Sequence, residues 1–159
     1  MYRSILVGQD DCDNSRKALD TAIWLAGVTR AHLCLIHLHG RKLPLVSPIS
    51  ADDAKALLAE REKVCTRAGV ACSTKLVSGW TTQALVNETK WHDLVVVGKH
   101  GAAWAQGSGG LGSVATALLA SSSVPVLVAD DSDSLPHQLL VVFDESPDAC
   151  AALRIAATM

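Results

Sequence analysis

Residues 93–128, DLVVVGKHGAAWAQGSGGLGSVATALLASSSVPVLV, constrain the fold more than any other stretch of the chain. An apolar run at 94–97 passes straight into Gly98, Lys99, His100 and Gly101. Ten residues later Gly112 and Ser113 open a segment of helical periodicity, which closes on a second apolar run at 125–128. A strand, a glycine-rich loop and a helix N-terminus in that order is how parallel α/β proteins build an anion site. Glycine lets the backbone approach a phosphate, and the unbonded amides of the first helical turn point at it. Ser113 adds a short hydroxyl donor there without crowding the turn. Spacing excludes two better-known phosphate loops. No Lys-Ser or Lys-Thr pair follows a glycine in the loop, so GxxxxGK[ST] is absent. A GxGxxG forced onto 107–112 lies well beyond the strand-helix turn where a dinucleotide fingerprint needs its glycines.

The rest of the chain alternates in the same way. Apolar strands are expected at 4–7, 33–38 and 70–77, with an amphipathic helix at 15–27, a longer helix at 51–68 and a short one near 82–90. Asn14 or Asp13 is the expected cap of the first helix, Ser50 caps the second and Gly69 ends it. Residues 41–50 carry two prolines and read as a surface connection. Strand-helix alternation with short joints predicts a doubly wound, open parallel sheet of five strands. Ligands of such sheets bind beyond the carboxyl ends of the strands where strand order reverses. An aliphatic composition, 49% hydrophobic with a single Phe and a single Tyr among 159 residues, suits strands buried on both faces.

Residues 4–26, SILVGQDDCDNSRKALDTAIWLA, 32–39, HLCLIHLH, and 124–129, VPVLVA, together with the glycine loop, resemble the universal stress protein family over roughly residues 1–130. The family's nucleotide-binding members carry Gly-x2-Gly-x9-Gly-[Ser/Thr] between strand 4 and helix 4. Here ten residues separate Gly101 from Gly112, and the extra one falls in the GSGG run. The resemblance implies an adenine nucleotide alpha hydrolase-like sheet of order 3-2-1-4-5, with its switch point between strands 1 and 4. Gly8, Gln9 and Asp10 then close strand 1 on one side of the crevice, and Val97 and Gly98 close strand 4 on the other.

What the resemblance implies for a ligand is ATP, or ADP or AMP, with Mg2+ as a companion ion. Asp10 would meet a ribose hydroxyl or the adenine amine, and Leu38 would offer backbone groups to the base. Gly98 and Gly101 would give the closest backbone approach to the phosphates. Lys99 would neutralise their charge, and Gly112, Ser113 and the Val114 amide would hold the far end. His100 matches a histidine common at this place in the family. Gln9 and Ala115 stand where small hydroxyl residues are often found, which removes two contacts.

A second feature is an internal repeat. LLVVFDESPDACAALRIA at 139–156 overlays ILVGQDDCDNSRKALDTA at 5–22 without a gap, Asp144 falling on Asp10. The expected organisation is therefore a domain at 1–130, an acidic, serine-containing linker at 131–137, and the first strand and helix of an incomplete second repeat at 138–159. The apolar residues of that remnant and the sheet edge at 124–129 predict a homodimer.

A formal charge of −2 and the lack of a basic stripe interleaved with aromatics argue against a nucleic-acid partner. No run reaches membrane-spanning length and no leader precedes Ile5, so the expected location is cytoplasmic. Cys12, Cys34, Cys65, Cys72 and Cys150 form no CxxC pair or zinc spacing. Cys34, in an apolar strand, is expected as a small buried hydrophobe, and Cys12 as a thiol whose ionisation the neighbouring aspartates oppose. No catalytic triad motif, HExxH or paired carboxylates appear, so any ATP hydrolysis should be slow. Three function classes remain: an ATP-binding stress-response module acting by ligand-dependent association, a dimeric regulatory scaffold of the same family without nucleotide, and an ATP-using enzyme of a related fold. The last is disfavoured because those enzymes carry a phosphate loop near the N-terminus, where this chain has the acidic GQDDCDNS.

Overall fold

The computed structural model describes residues 2–39, 49–78, 81–102, 110–130 and 138–157. Five parallel strands stand in the order β3-β2-β1-β4-β5, namely β1 (Ser4–Gly8), β2 (His32–His39), β3 (Cys72–Ser78), β4 (Leu94–Gly98) and β5 (Val126–Ala129). The helices are α1 (Asp13–Thr29), α2 (Ala51–Arg67), α3 (Thr81–Thr89), α4 (Ser113–Ser121) and α5 (Pro147–Ala156). The sheet expected from the sequence is thus the sheet observed.

Strand alternation divides the interior into two cores. Ile5, Val7, Leu33, Leu35, Leu94 and Val96 face α1 and α2, where Leu19, Leu25 and Leu58 meet them. The intervening Leu6, Cys34, Ile36, Val95 and Val97 face α3 and α4 and pack on Leu85, Ala115 and Leu118. The side chains at the middle of β1, β2 and β4 are therefore covered, and each large aliphatic contributes on the order of 1.5–3 kcal/mol by leaving water. Cys34 is 9% exposed among these aliphatics, the buried role expected of it.

Several boundaries differ from the sequence reading, each for a local reason. Helix α1 begins two residues early, with Cys12 in the capping position and no side-chain cap. It runs past Gly27 to Thr29, because Arg30 takes the left-handed conformation (φ 59°) and returns its N–H to Ala26 O at 2.7 Å. Ser50 does cap α2, accepting from Asp53 N at 3.1 Å, and Gly69 (φ 72°) turns the chain after it. Strand β3 starts at Cys72 rather than at residue 70, since Val70 N is taken by Cys65 O and only Cys72 onward is in register with β2. The larger difference lies at 139–143, which joins no strand and leaves Leu140 93% and Val142 80% exposed. A strand needs a neighbour, and this segment has none within the described residues. The surface connection expected at 41–50 lies largely outside them, as do the linker at 131–137 and Trp104.

Residues 144–147 nevertheless reproduce the local geometry of residues 10–13. Asp10 Oδ1 accepts from Cys12 N at 3.2 Å, and Asp144 Oδ1 accepts from Ser146 N at 3.0 Å. The helices that follow start at equivalent positions, Asp13 and Pro147.

At the opposite end of the sheet, Ser4 Oγ and His92 Nδ1 are 2.7 Å apart, and Asp93 Oδ2 accepts from the amides of Arg3 and Ser4 at 2.8 and 3.0 Å. Burial pushes the His92 pKa below its ordinary 6.5. The folded state then binds fewer protons than the unfolded chain, so stability should fall as pH drops through about 6.5 and level off below the folded pKa. Urea midpoints between pH 7.5 and 5 should show that decline, and His92→Gln should flatten it. An equal slope in the variant would remove His92 as the cause.

Candidate functional site

The crevice lies where strand order reverses. Beyond Gly8 the chain turns back through α1 to β2, and beyond Gly98 it turns the other way through α4 to β5. Two cavities adjoin there and share Gly98 and Val114. The first, about 110 Å³, is bounded by Asp10, Leu38, Leu85, Val97 and His100, with Gly8, Gln9, Ser15, Ile36 and His37 behind them. The second, about 170 Å³, is bounded by Lys99, Gly101, Gly112, Ser113 and Ala115. All thirteen residues singled out in the sequence border one cavity or the other. Ser15, Ile36, His37 and Leu85 were not among those thirteen. The alternation of β2 signals Ile36 and His37, whereas Leu85 comes from α3 by tertiary packing that leaves no local trace.

Asp10 is fixed from both sides. Besides Cys12 N, its carboxylate accepts from Ala102 N at 2.9 Å, which ties the end of β1 to the glycine loop. Ser15 Oγ donates to Asp10 O at 2.6 Å and sits 3.0 Å from Cys12 O, so the acidic turn is held on the first turn of α1. Cys12 Sγ reaches His100 O at 3.6 Å, and His100 Nε2 is 2.9 Å from Gly110 O. Burial, followed by the hydrogen bond and negative charge of Asp10, pushes the Cys12 thiol up to about 11. The sequence anticipated the carboxylate's effect; burial is the larger part. Gln9 is an internal brace, its amide nitrogen donating to Gly8 O at 2.9 Å and Ser15 O at 3.0 Å.

The backbone groups left for a ligand follow from the ladders. Leu33 N donates to Ala71 O, so the odd-numbered residues of β2 point their amides to β3; Ile36 O accepts from Gln9 N, so the even ones point toward β1. Leu38 is the next even residue, and β1 has ended by then. Its amide and carbonyl therefore face the first cavity's mouth. In the second cavity, Lys99 N is taken by Ala129 O at 2.7 Å and Gly112 N by Lys99 O at 2.9 Å. Gly112 is the N-cap of α4 and has no side chain to satisfy the helix, so the amides of Ser113, Val114 and Ala115 are the bare end of the dipole.

Two glycines are required by close approach. A Cβ on Gly98 would sit 2.8 Å from the backbone C and O of Asn14, and one on Gly112 would sit 3.2 Å from Lys99 O. Among the described residues no three His, Cys, Asp or Glu side chains gather as metal ligands, and no helix is long and apolar enough to cross a membrane.

A five-stranded parallel sheet with helices on both faces and strand order reversing between β1 and β4 defines the class, a doubly wound α/β domain. The chain belongs to the universal stress protein family, whose model matches residues 1–130. Among solved structures it resembles a universal stress protein from Archaeoglobus fulgidus DSM 4304 (TM-score 0.78, 21% identity), the match covering 98% of this chain and 61% of that longer one. It also resembles the universal stress protein UspA from Lactobacillus plantarum (TM-score 0.71, 20% identity, 80% of this chain and 97% of that one). A third, from Archaeoglobus fulgidus in complex with dAMP, has TM-score 0.59 and 18% identity over 80% of this chain and 97% of that one. At these identities the likeness carries the fold. Comparison with curated proteins gives no match.

Proposed function

We propose that the chain is an adenine-nucleotide-binding module, taking ATP, or ADP or AMP, at the switch-point crevice and acting through association rather than turnover. The observation that carries this reading is the pair of adjoining cavities. One is walled by Leu38, Leu85, Val97 and Val114 and suits a flat base, and the other ends on the uncapped start of α4 and suits phosphate. The amide and carbonyl of Leu38 match the donor and acceptor edge of adenine, and Asp10 keeps lone pairs for a ribose hydroxyl beside its two backbone bonds. The family neighbour solved with dAMP supports the ligand class. The described crevice residues offer Mg2+ no carboxylate pair, so the ion would ride on the triphosphate with its waters. Calorimetric titration tests the reading: ATP and AMP should bind at least about tenfold more tightly than GTP, a difference of about 1.4 kcal/mol. Equal heats for all three, or none, would overturn it.

Association, most simply as a homodimer, is expected through the β5 edge together with residues 138–159. Strand β5 offers an open apolar edge, and Leu139, Leu140, Val142 and Phe143 are each at least 50% exposed. Deleting 138–159 should change the sedimentation or light-scattering mass. A monomer before and after deletion would rule this surface out and would equally remove the scaffold alternative.

A further inference from the structure

Away from the crevice, two of the five cysteines share one cluster. Cys65 is in the last turns of α2, 0% exposed, and Cys72 is the first residue of the edge strand β3, half-buried and packed against the same core. Strand register explains the meeting. Cys72 pairs with Leu33, whose side chain faces α1 and α2, so Cys72 is turned to the helix that carries Cys65. The six-residue link between them is tight: Gly69 N donates to Thr66 O and Val70 N to Cys65 O, both at 3.0 Å. Cys72 Sγ lies 3.9 Å from Glu62 O, one turn before Cys65 on the same helix. The other thiols are elsewhere. Cys34 is on the opposite face of the sheet, Cys12 is at the crevice and Cys150 is on α5.

We propose that Cys65 and Cys72 are an oxidation site, closing to an intramolecular disulfide that ties α2 to the sheet edge when the chain meets a peroxide. Cys72, the accessible thiol, reacts first. Its sulfur, having released its proton, attacks one peroxide oxygen; the O–O bond breaks, and the departing oxygen takes up a proton and leaves as water or, from an organic peroxide, as an alcohol. Cys72 is then a sulfenic acid. The Cys65 sulfur attacks it, the S–O bond breaks, a water leaves and the S–S bond forms. The two thiols supply the two electrons that reduce the peroxide. Burial pushes both thiols up, Cys65 to about 12, so the conversion answers sustained oxidant rather than traces of it.

Hydrogen peroxide is the probe, applied to the full chain without nucleotide and followed by peptide mass mapping. The expected product has lost two hydrogens and carries a Cys65–Cys72 crosslink that dithiothreitol reverses. It should melt higher than the reduced chain, and Cys72→Ser, a change at the sheet edge, should abolish both effects. Cys65→Ala should leave Cys72 as a sulfenic acid that dimedone labels. Persistence of the Cys72 thiol, pairing of either residue with Cys12, Cys34 or Cys150, or crosslinks only between chains would each overturn the proposal. These readouts need no nucleotide, so they stand or fall apart from the reading of the crevice.

Discussion

Gly98→Ala should destabilise the fold by about 1–3 kcal/mol, the usual cost of forcing an extra carbon into a packed interior. The added Cβ would meet the backbone of Asn14 at 2.8 Å, and backbone in the first turn of α1 cannot rotate aside as a side chain can. The strain falls where β4 passes under α1, so relief would move α1 away from the sheet and loosen the core formed by Ala18, Ala22 and Val96. Urea denaturation of the two chains measures it. An unchanged midpoint would mean that the close approach of β4 and α1 has been misjudged. Gly27→Ala is the control, because nothing lies within 4 Å of its added carbon.

Gly112→Val should weaken ATP binding by more than about tenfold, at least 1.4 kcal/mol or so, while the chain stays folded. The reason differs from that at Gly98. Residue 112 caps α4, and its N–H closes on Lys99 O at 2.9 Å, so a branched side chain there crowds the backbone of Lys99 and His100 and narrows the mouth of the second cavity. The amides of Ser113 to Ala115 would remain but a phosphate would no longer reach them. Equal affinity in variant and parent would remove the α4 N-terminus from the site. A parallel melt separates lost binding from lost fold.

Most of the scaffold was legible because the physics that makes it is local. Apolar runs such as 5–7 and 94–97 have no polar alternation, which only a strand covered on both faces tolerates, and the order of strands followed from the family resemblance. The glycines at 98 and 112 were legible for a similar reason, since they sit where a strand becomes a loop and a loop becomes a helix. What escaped was settled by tertiary contact. The Asp10 carboxylate holds Ala102, 92 residues away, and the Gly112 amide is already spent on Lys99, so the free donors move one residue along, to 113–115. Helix α1 overran Gly27 because the end of a helix depends on where a left-handed residue can form, and Arg30 forms it. The strand expected at 139–143 has the right sequence, the right turn at Asp144 and the right helix after it. Among the described residues it has no neighbour, and pairing is a property of two segments rather than one.

The central claim is that the crevice between β1 and β4 takes an adenine nucleotide with its phosphates on α4. Amide chemical-shift mapping of the labelled chain during an ATP titration tests this most directly, since it reads position as well as affinity. The account predicts saturable shifts at Leu38, at Gly98 and Gly101, and at Ser113, Val114 and Ala115, with α2 and β3 unmoved. Saturable shifts confined to other surfaces, or none at millimolar ATP, would contradict it.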